Sequence, residues 1–229
     1  LKNTTTIMKN KLTKSCVALA LFNICLNGQN EGAENQQPDV LEPFSVIGSK
    51  ENISNLPGSG YYIDSKELEI FNYLDINQIL KTVPGVYLRS EEGYGLFPNI
   101  SLRGVDPNRS SKVTILEDGV PSSPSPFSDP SAYYSPTSGR MSGFEVLKGS
   151  SQIKLGPNTT GGVINYLSTP IPQEVTSYFR GSYGSNNERT GHAYAGGQVE
   201  LDGSKLGYLF ELFDTHTDGW KQLMHLLTE

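Results

Sequence analysis

Cysteine is nearly absent from this 229-residue chain: Cys16 and Cys25 are the only two. Both fall in an amino-terminal stretch that reads as removed on export. What remains has no disulfide framework, no cysteine-based zinc cluster and no thiol chemistry. Charge is scarce as well. Asp, Glu, Lys and Arg make up 18% of the residues, against roughly 25% in ordinary soluble domains. The 24 acidic residues outnumber the 18 basic ones, which disfavours general nucleic-acid binding. No apolar run is long enough for a membrane-spanning helix. Enzyme signatures are missing too: there is no Gly-x-Ser-x-Gly, no P-loop and no His-Glu-x-x-His. The only histidines, His192, His216 and His225, lie near the carboxyl end. An enzyme is not expected, nor a cofactor or a bound metal. The acidic pair Glu91-Glu92 reads as a solvated loop.

Glycine (24) and tyrosine (12) are plentiful, which suits strands and turns. Charge is divided unevenly along the chain. Residues 1–38 carry four lysines against two glutamates, and the rest is acidic. Met8 is followed by Lys9, Lys11 and Lys14, then by an apolar run from Cys16 to Leu26 interrupted only by Asn23. A basic n-region before an apolar core of this length reads as a secretory signal, with a short buried helix as the alternative. Residues 1–33 are assigned to the signal and what precedes it, with cleavage between Gly28 and Ala33. Cys25 is a poor lipoprotein cysteine because Asn23 and Ile24 precede it. Residues 34–43 form a polar linker.

Phe44-Ser45-Val46-Ile47-Gly48 alternates like a short strand, and Pro57-Gly58-Ser59-Gly60 breaks the chain after it. Two short helices follow. Asp64 with Glu67, and Asp75 with Gln78, have capping-box spacing. Ile76, Ile79, Leu80 and Val83 make one apolar face, and Pro84-Gly85 ends it. Strands are expected at 86–89, 100–103, 113–116, 144–147 and 163–167, with a turn at Asp118-Gly119. Short helical turns are expected at Ser135-Pro136 and at 150–154. Together these make a compact α+β unit.

After Pro172 the texture changes. Val175, Ser177, Phe179, Gly181 and Tyr183 share one strand face, and Thr176, Tyr178, Arg180 and Ser182 the other. Ala193 to Leu201 and Leu206 to Leu212 repeat the alternation, with His192, Tyr194 and Glu211 on polar faces. Long strands, apolar outward and polar inward, are the signature of an outer-membrane barrel. A soluble β-meander reads the same on pattern alone.

The order of motifs resembles the amino-terminal part of a TonB-dependent outer-membrane receptor. The resemblance runs through Phe44–Gly48, Asp75–Leu80 leading to Val83-Pro84-Gly85-Val86, Ile100–Gly104, Val113–Pro121, Phe144–Gly149 and Leu155-Gly156-Pro157 to Asn165. Six weak motifs in the right order cover residues 44–218. Within the family the chain looks most like the ferric citrate (FecA-type) receptors, through Asp118–Pro121, Ser128-Asp129-Pro130 and Gly161–Pro172. The resemblance implies a plug, an α+β domain of mixed sheet and short helices at 44–172, inside a transmembrane barrel whose first antiparallel strands occupy 173–229. It also implies uptake of an iron chelate through the outer membrane, driven by an inner-membrane TonB partner that contacts Phe44, Ser45, Val46, Ile47 and Gly48. Cobalamin, nickel chelates and glycans are the alternative cargoes.

An anionic chelate needs cations, donors and aromatic walls. The implied apical loops are 91–99, 106–112 and 121–130. Their candidates are Arg109 and Lys112 as cations, and Tyr94, Phe97 and Phe127 as walls; each is otherwise an ordinary loop side chain. Asn108 and Asp129 depart from the ferric citrate pattern, and a carboxylate at 129 would repel an anion unless paired. Arg103 and Lys148 resemble plug cations that lock onto barrel glutamates. Lys148 holds such a lock less well than arginine, and its alternative is a solvated strand-end charge. A barrel of about 22 strands needs about 220 residues for strands alone, so residues 173–229 hold roughly three or four. The ending Met224–Glu229 does not continue the strand pattern, and the sequence reads as a truncated receptor that would not transport unaided.

Overall fold

The computed structural model describes residues 45–123, 131–155, 160–201 and 203–219. The expectations for the signal, the linker, Phe44, Phe127, Asp129 and the ending lie outside those residues.

Successive side chains of a strand point to opposite faces, and strand β6 (Met141–Lys148) is buried on both. Phe144 and Val146 enter one apolar cluster, with Ile79, Leu80, Ile100, Leu102 and Ile115. Leu147 enters a second, with Ile47, Leu116 and Val163. The five-stranded sheet around β6 comprises β1 (Ser59–Ile63), β4 (Val113–Glu117), β5 (Val120–Ser123) and β7 (Gly162–Ser168), in the order β1-β6-β7-β4-β5. Only the β4–β7 pair is parallel. The α-helix α1 (Ser65–Phe71), a 3-10 helix (Ile76–Thr82) and the separate hairpin of β2 (Val86–Leu88) and β3 (Ile100–Leu102) complete this unit. This is the α+β architecture expected.

The local signals work where the sequence carries them. The Asp64 side chain accepts the Glu67 amide at 2.9 Å and caps α1. Asp75 caps the next helix through Asn77 rather than through the backbone of Gln78, and that helix is 3-10. Asp118 and Gly119 both have positive φ, 48° and 78°, as a two-residue hairpin turn requires.

Three expectations are corrected. Residues 45–48 are not a strand; their amides turn together onto one buried carboxylate, described below. The Pro57–Gly60 break leads directly into β1, which pairs with β6 from Ser59↔Lys148 to Ile63↔Phe144. Gly60 permits this: a Cβ there would lie 2.5 Å from Leu56 Cδ1. Residues 131–137 form no regular element, and the helical turn begins at Ser138.

Strands β8 (Thr176–Tyr183), β9 (Arg189–Leu201) and β10 (Ser204–His216) form an antiparallel meander. Tyr178, Arg180 and Ser182 are half-buried, whereas Phe179, Tyr183, Phe210 and Leu212 are 73–81% exposed. The polar face therefore turns to the plug-like unit and the apolar face away from it, as the alternation implied. Three contacts dock the meander. Arg180 donates to the Glu69 carbonyl at 3.2 Å, the Thr169 hydroxyl donates to Glu211 Oε1 at 2.9 Å, and the Phe213 ring rests on Gly139. A Cβ at Gly139 would come within 2.0 Å of that ring.

Gly139→Ala should therefore push Phe213 out and loosen β10 from the five-stranded sheet, at an overpacking cost of about 1–3 kcal/mol. Hydrogen exchange should speed up at β10 amides while β4 and β7 stay protected. Equal protection of β10 in both forms would show that Phe213 contributes nothing to docking.

Candidate functional site

The loop from Arg89 to Asn99 joins β2 to β3, and residues 103–112 join β3 to β4. The antiparallel pairing of β2 and β3 sends these loops off opposite ends of the hairpin, and residues 109–110 of the second return to pack against the first. Ser110 ties them: its hydroxyl donates to the Pro98 carbonyl at 2.9 Å and accepts the Ile100 amide at 2.9 Å. The Asn99 side chain accepts the Arg109 amide at 2.9 Å and donates to Glu91 Oε2 at 3.0 Å.

Arg109 is the centre of this cluster. Its backbone is left-handed, with φ 48°, which an arginine adopts only when its surroundings hold it. Nη2 donates to Glu91 Oε1 at 2.7 Å. Nη1 lies 2.6 Å from Glu91 Oε2 but outside hydrogen-bonding geometry, so that contact is ionic. The guanidinium sits 4.6 Å from the Phe97 ring centre and 5.4 Å from that of Tyr133. It is a clamped, charge-compensated cation between aromatic walls.

The structure thus brings Arg109 and Phe97 together, adds Glu91 and Tyr133 to them, and separates the other candidates. Tyr94 is exposed, and its amide is held by Glu92. Lys112 is exposed and makes no ion pair among the described residues. Arg89 reaches the side-chain oxygens of Asn99 and Asn108. The Asn99 side chain and then Arg109 stabilise the Glu91 carboxylate and hold its pKa below the usual glutamate value.

Beneath the loops lies a buried network. Asn77 donates to Asp75, the Gly95 carbonyl and the Ser135 hydroxyl, and accepts the Tyr166 hydroxyl at 2.6 Å. Burial pushes the Tyr166 phenol well above its ordinary pKa, so it remains a donor.

Lys148 and Arg103 are neighbours, and neither joins an ion pair among the described residues. Lys148 is not a solvated strand-end charge. It is buried, and its ammonium donates to the Pro84 carbonyl at 2.7 Å. Burial lowers its pKa, and the nearby Arg103 adds to this. Arg103 is exposed. Ser45, Val46, Ile47 and Gly48 lie against the opposite sheet face, where the Glu145 carboxylate receives the amides of residues 46–48. Glu145, Glu91, Tyr133 and Asn77 were missed from sequence. A lone glutamate inside the apolar strand Phe144–Leu147 was the signal for the first.

A cleft of about 420 Å³ separates α1 from the inner face of the meander, with Tyr73, Arg180, His192 and Tyr194 among its walls. His192 Nε2 lies 2.9 Å from Glu211 Oε1.

Residues 52–163 match the family described as TonB-dependent Receptor Plug Domain. The chain carries a TonB-dependent receptor plug. The plug and its meander share their fold with the ferric citrate transporter FecA in its unliganded form, at 23% identity and a TM-score of 0.58 over 77% of this chain and 28% of that one. A ferric enterobactin receptor, PfeA, gives a TM-score of 0.51 at 20% identity, over 72% of this chain and 26% of the other. Among curated proteins, the vitamin B12 transporter BtuB of Vibrio vulnificus (strain YJ016) is 28% identical over 92% of this chain and 33% of its own length. An iron-regulated outer membrane virulence protein of Vibrio cholerae is 30% identical over 59% of this chain and 21% of its own. The chain spans about a third or less of the length of the curated relatives it matches.

The Arg109 clamp should depend on pH in a defined direction. The folded plug lowers the Glu91 pKa, so this contribution is complete above the unfolded glutamate value and fades as pH falls through the lowered folded one. Carbon-detected NMR titration should place Glu91 below ordinary glutamates. Exchange at residues 91–97 should accelerate on going from neutral pH into that acid range. In Arg109→Ala the Glu91 midpoint should rise, though only in part, because Asn99 still donates to it. A Glu91 midpoint unmoved by Arg109→Ala would mean that the ion pair is not formed in solution.

Proposed function

We propose that this chain is the amino-terminal part of an outer-membrane receptor in which the plug gates uptake of an iron chelate, with TonB as its inner-membrane partner. The observation that carries the reading is the pairing of the plug with three strands whose polar face turns inward and whose apolar face is exposed. A barrel wall filled by a plug requires that arrangement. Uptake is proposed for a receptor in which further strands follow β10, because open edges leave backbone groups that lipid does not satisfy. Residues 1–33 serve as its export signal and 34–43 as a linker to the periplasm.

The chelate meets the clustered loops, with Phe97, Tyr133 and Arg109 as its first contacts and Tyr94 and Lys112 at the margin; Phe127 and Asp129 are proposed as further contacts from the sequence alone. Glu91 already neutralises Arg109, so this guanidinium is not a free cation. An anionic chelate must compete with Glu91 for the guanidinium. Arg103 and the buried Lys148 wait for an anionic partner on the wall. A second reading, a cobalamin receptor, is supported by the 28% identity to the BtuB transporter over most of this chain. A neutral aromatic-lined cluster also suits a large, weakly charged ligand.

The two readings separate by titrating a receptor that has a homologous barrel after β10. For an anionic chelate such as ferric citrate, Arg109→Ala should weaken binding by roughly 1.5–3 kcal/mol if the site is dry. Glu91→Gln should strengthen it by freeing the guanidinium, and Asp129→Asn should move it in the same direction. For cyanocobalamin none of these should matter much, whereas Phe97→Ala should weaken binding. A receptor that binds neither probe sinks both cargoes.

A further inference from the structure

Residues 45–48 form neither helix nor strand, yet one side chain fixes all four. The Glu145 carboxylate accepts the Val46 amide at 2.9 Å, the Ile47 amide at 2.7 Å, the Gly48 amide at 3.0 Å and the Ser45 hydroxyl. The Asn165 side chain donates a further bond at 2.9 Å. Glu145 is wholly buried. Successive amides converging on one anion make a concave nest, and here the anion is the protein's own. Gly48, with φ 79°, lets the chain curl around it. Ile47 plugs into the second cluster, beside Leu116, Leu147 and Val163.

This geometry has a consequence for any partner. In an extended strand, successive N–H groups point to opposite edges. Three consecutive amides cannot converge on one carboxylate and also offer a strand edge. Residues 45–48 are therefore either held by Glu145 or available for strand addition, never both. We propose that Glu145 is a releasable latch that keeps residues 45–48 on the plug and must be displaced before a partner pairs with them. Leaving the carboxylate without donors in a dry site is costly, so the closed state prevails until something supplies the opening energy. The latch stands on geometry alone; that TonB is the partner rests on the reading above.

Hydrogen exchange of the full 229-residue chain in detergent tests this, with and without a periplasmic TonB fragment. Glu145→Gln keeps the shape but replaces one acceptor oxygen by a donor. Amides 46–48 should then exchange about ten- to a hundredfold faster, as expected for loss of charge-assisted bonds. Amides of β4 and β7 should stay protected, and the fragment should bind more tightly. Unchanged exchange at 46–48 overturns the latch. If the glutamine variant also loses protection in β4 and β7, Val46→Pro decides, because it removes one donor and leaves the carboxylate intact. Faster exchange at 47 and 48 over a protected sheet then upholds the latch, and unchanged exchange there overturns it. Loss of sheet protection in both variants overturns it too, since the segment would then be core. Faster exchange with no fragment binding in any form upholds the latch and removes TonB as the partner for this stretch.

Discussion

Strand β6 is buried on both faces, and covering both is the constraint from which the rest of the plug follows. One face takes Phe144 and Val146 and is closed by the 3-10 helix and the β2–β3 hairpin. The other takes Leu147 and is closed by the stretch around Ile47, Ile53 and Leu56. A sheet covered on one side by a hairpin and on the other by the incoming chain cannot be assembled from its strands alone. The segment from Ser45 to Leu56 is therefore part of the domain, although its only regular structure is the short 3-10 helix Glu51–Asn55.

That arrangement places polar groups where apolar ones would suffice. Glu145 and Asn165 pair across β6 and β7 on the second face, and Asn165 also accepts the Gly119 amide at 2.9 Å. Asn77 and Tyr166 form a second such centre on the first face. Buried polar groups are tolerated only when their partners are supplied. Here the partners come from loops and from the amino-terminal segment, so the two centres fix pieces of chain that no ladder holds. The Gly95 carbonyl ties the loop of residues 89–99 to Asn77. The amides of 46–48 tie the entering chain to Glu145. Rigid strands thus position irregular segments, and it is to those segments that the proposed function assigns ligand and partner.

The loop cluster follows the same logic. Arg109 is more often imagined as a free cation waiting for an anion. Its ion pair with Glu91 and its seat between Phe97 and Tyr133 make it a preorganised group whose charge is released only by exchange of partners. As the ligand site proposed above, it would discriminate by what replaces Glu91 as well as by what contacts the rings.

The sequence by itself determined the order of elements, the apolar faces, the caps at Asp64 and Asp75, the turn at Asp118-Gly119 and the inward and outward faces of the meander. Each depends on residues within a few positions of one another, where periodicity and turn chemistry act. The six ordered motifs were enough to point to the plug family. Tertiary structure alone decided that Ser59–Ile63 is a strand, because its Gly-rich start makes sense only beside β6 and against Leu56. It decided that Lys148 is buried at Pro84 rather than solvated, and that Arg109 is paired. It also turned an expected strand at 45–48 into a nest on Glu145, a residue about a hundred positions away. These are contacts between segments remote in the chain, and burial and charge pairing between such segments leave no local periodicity to read.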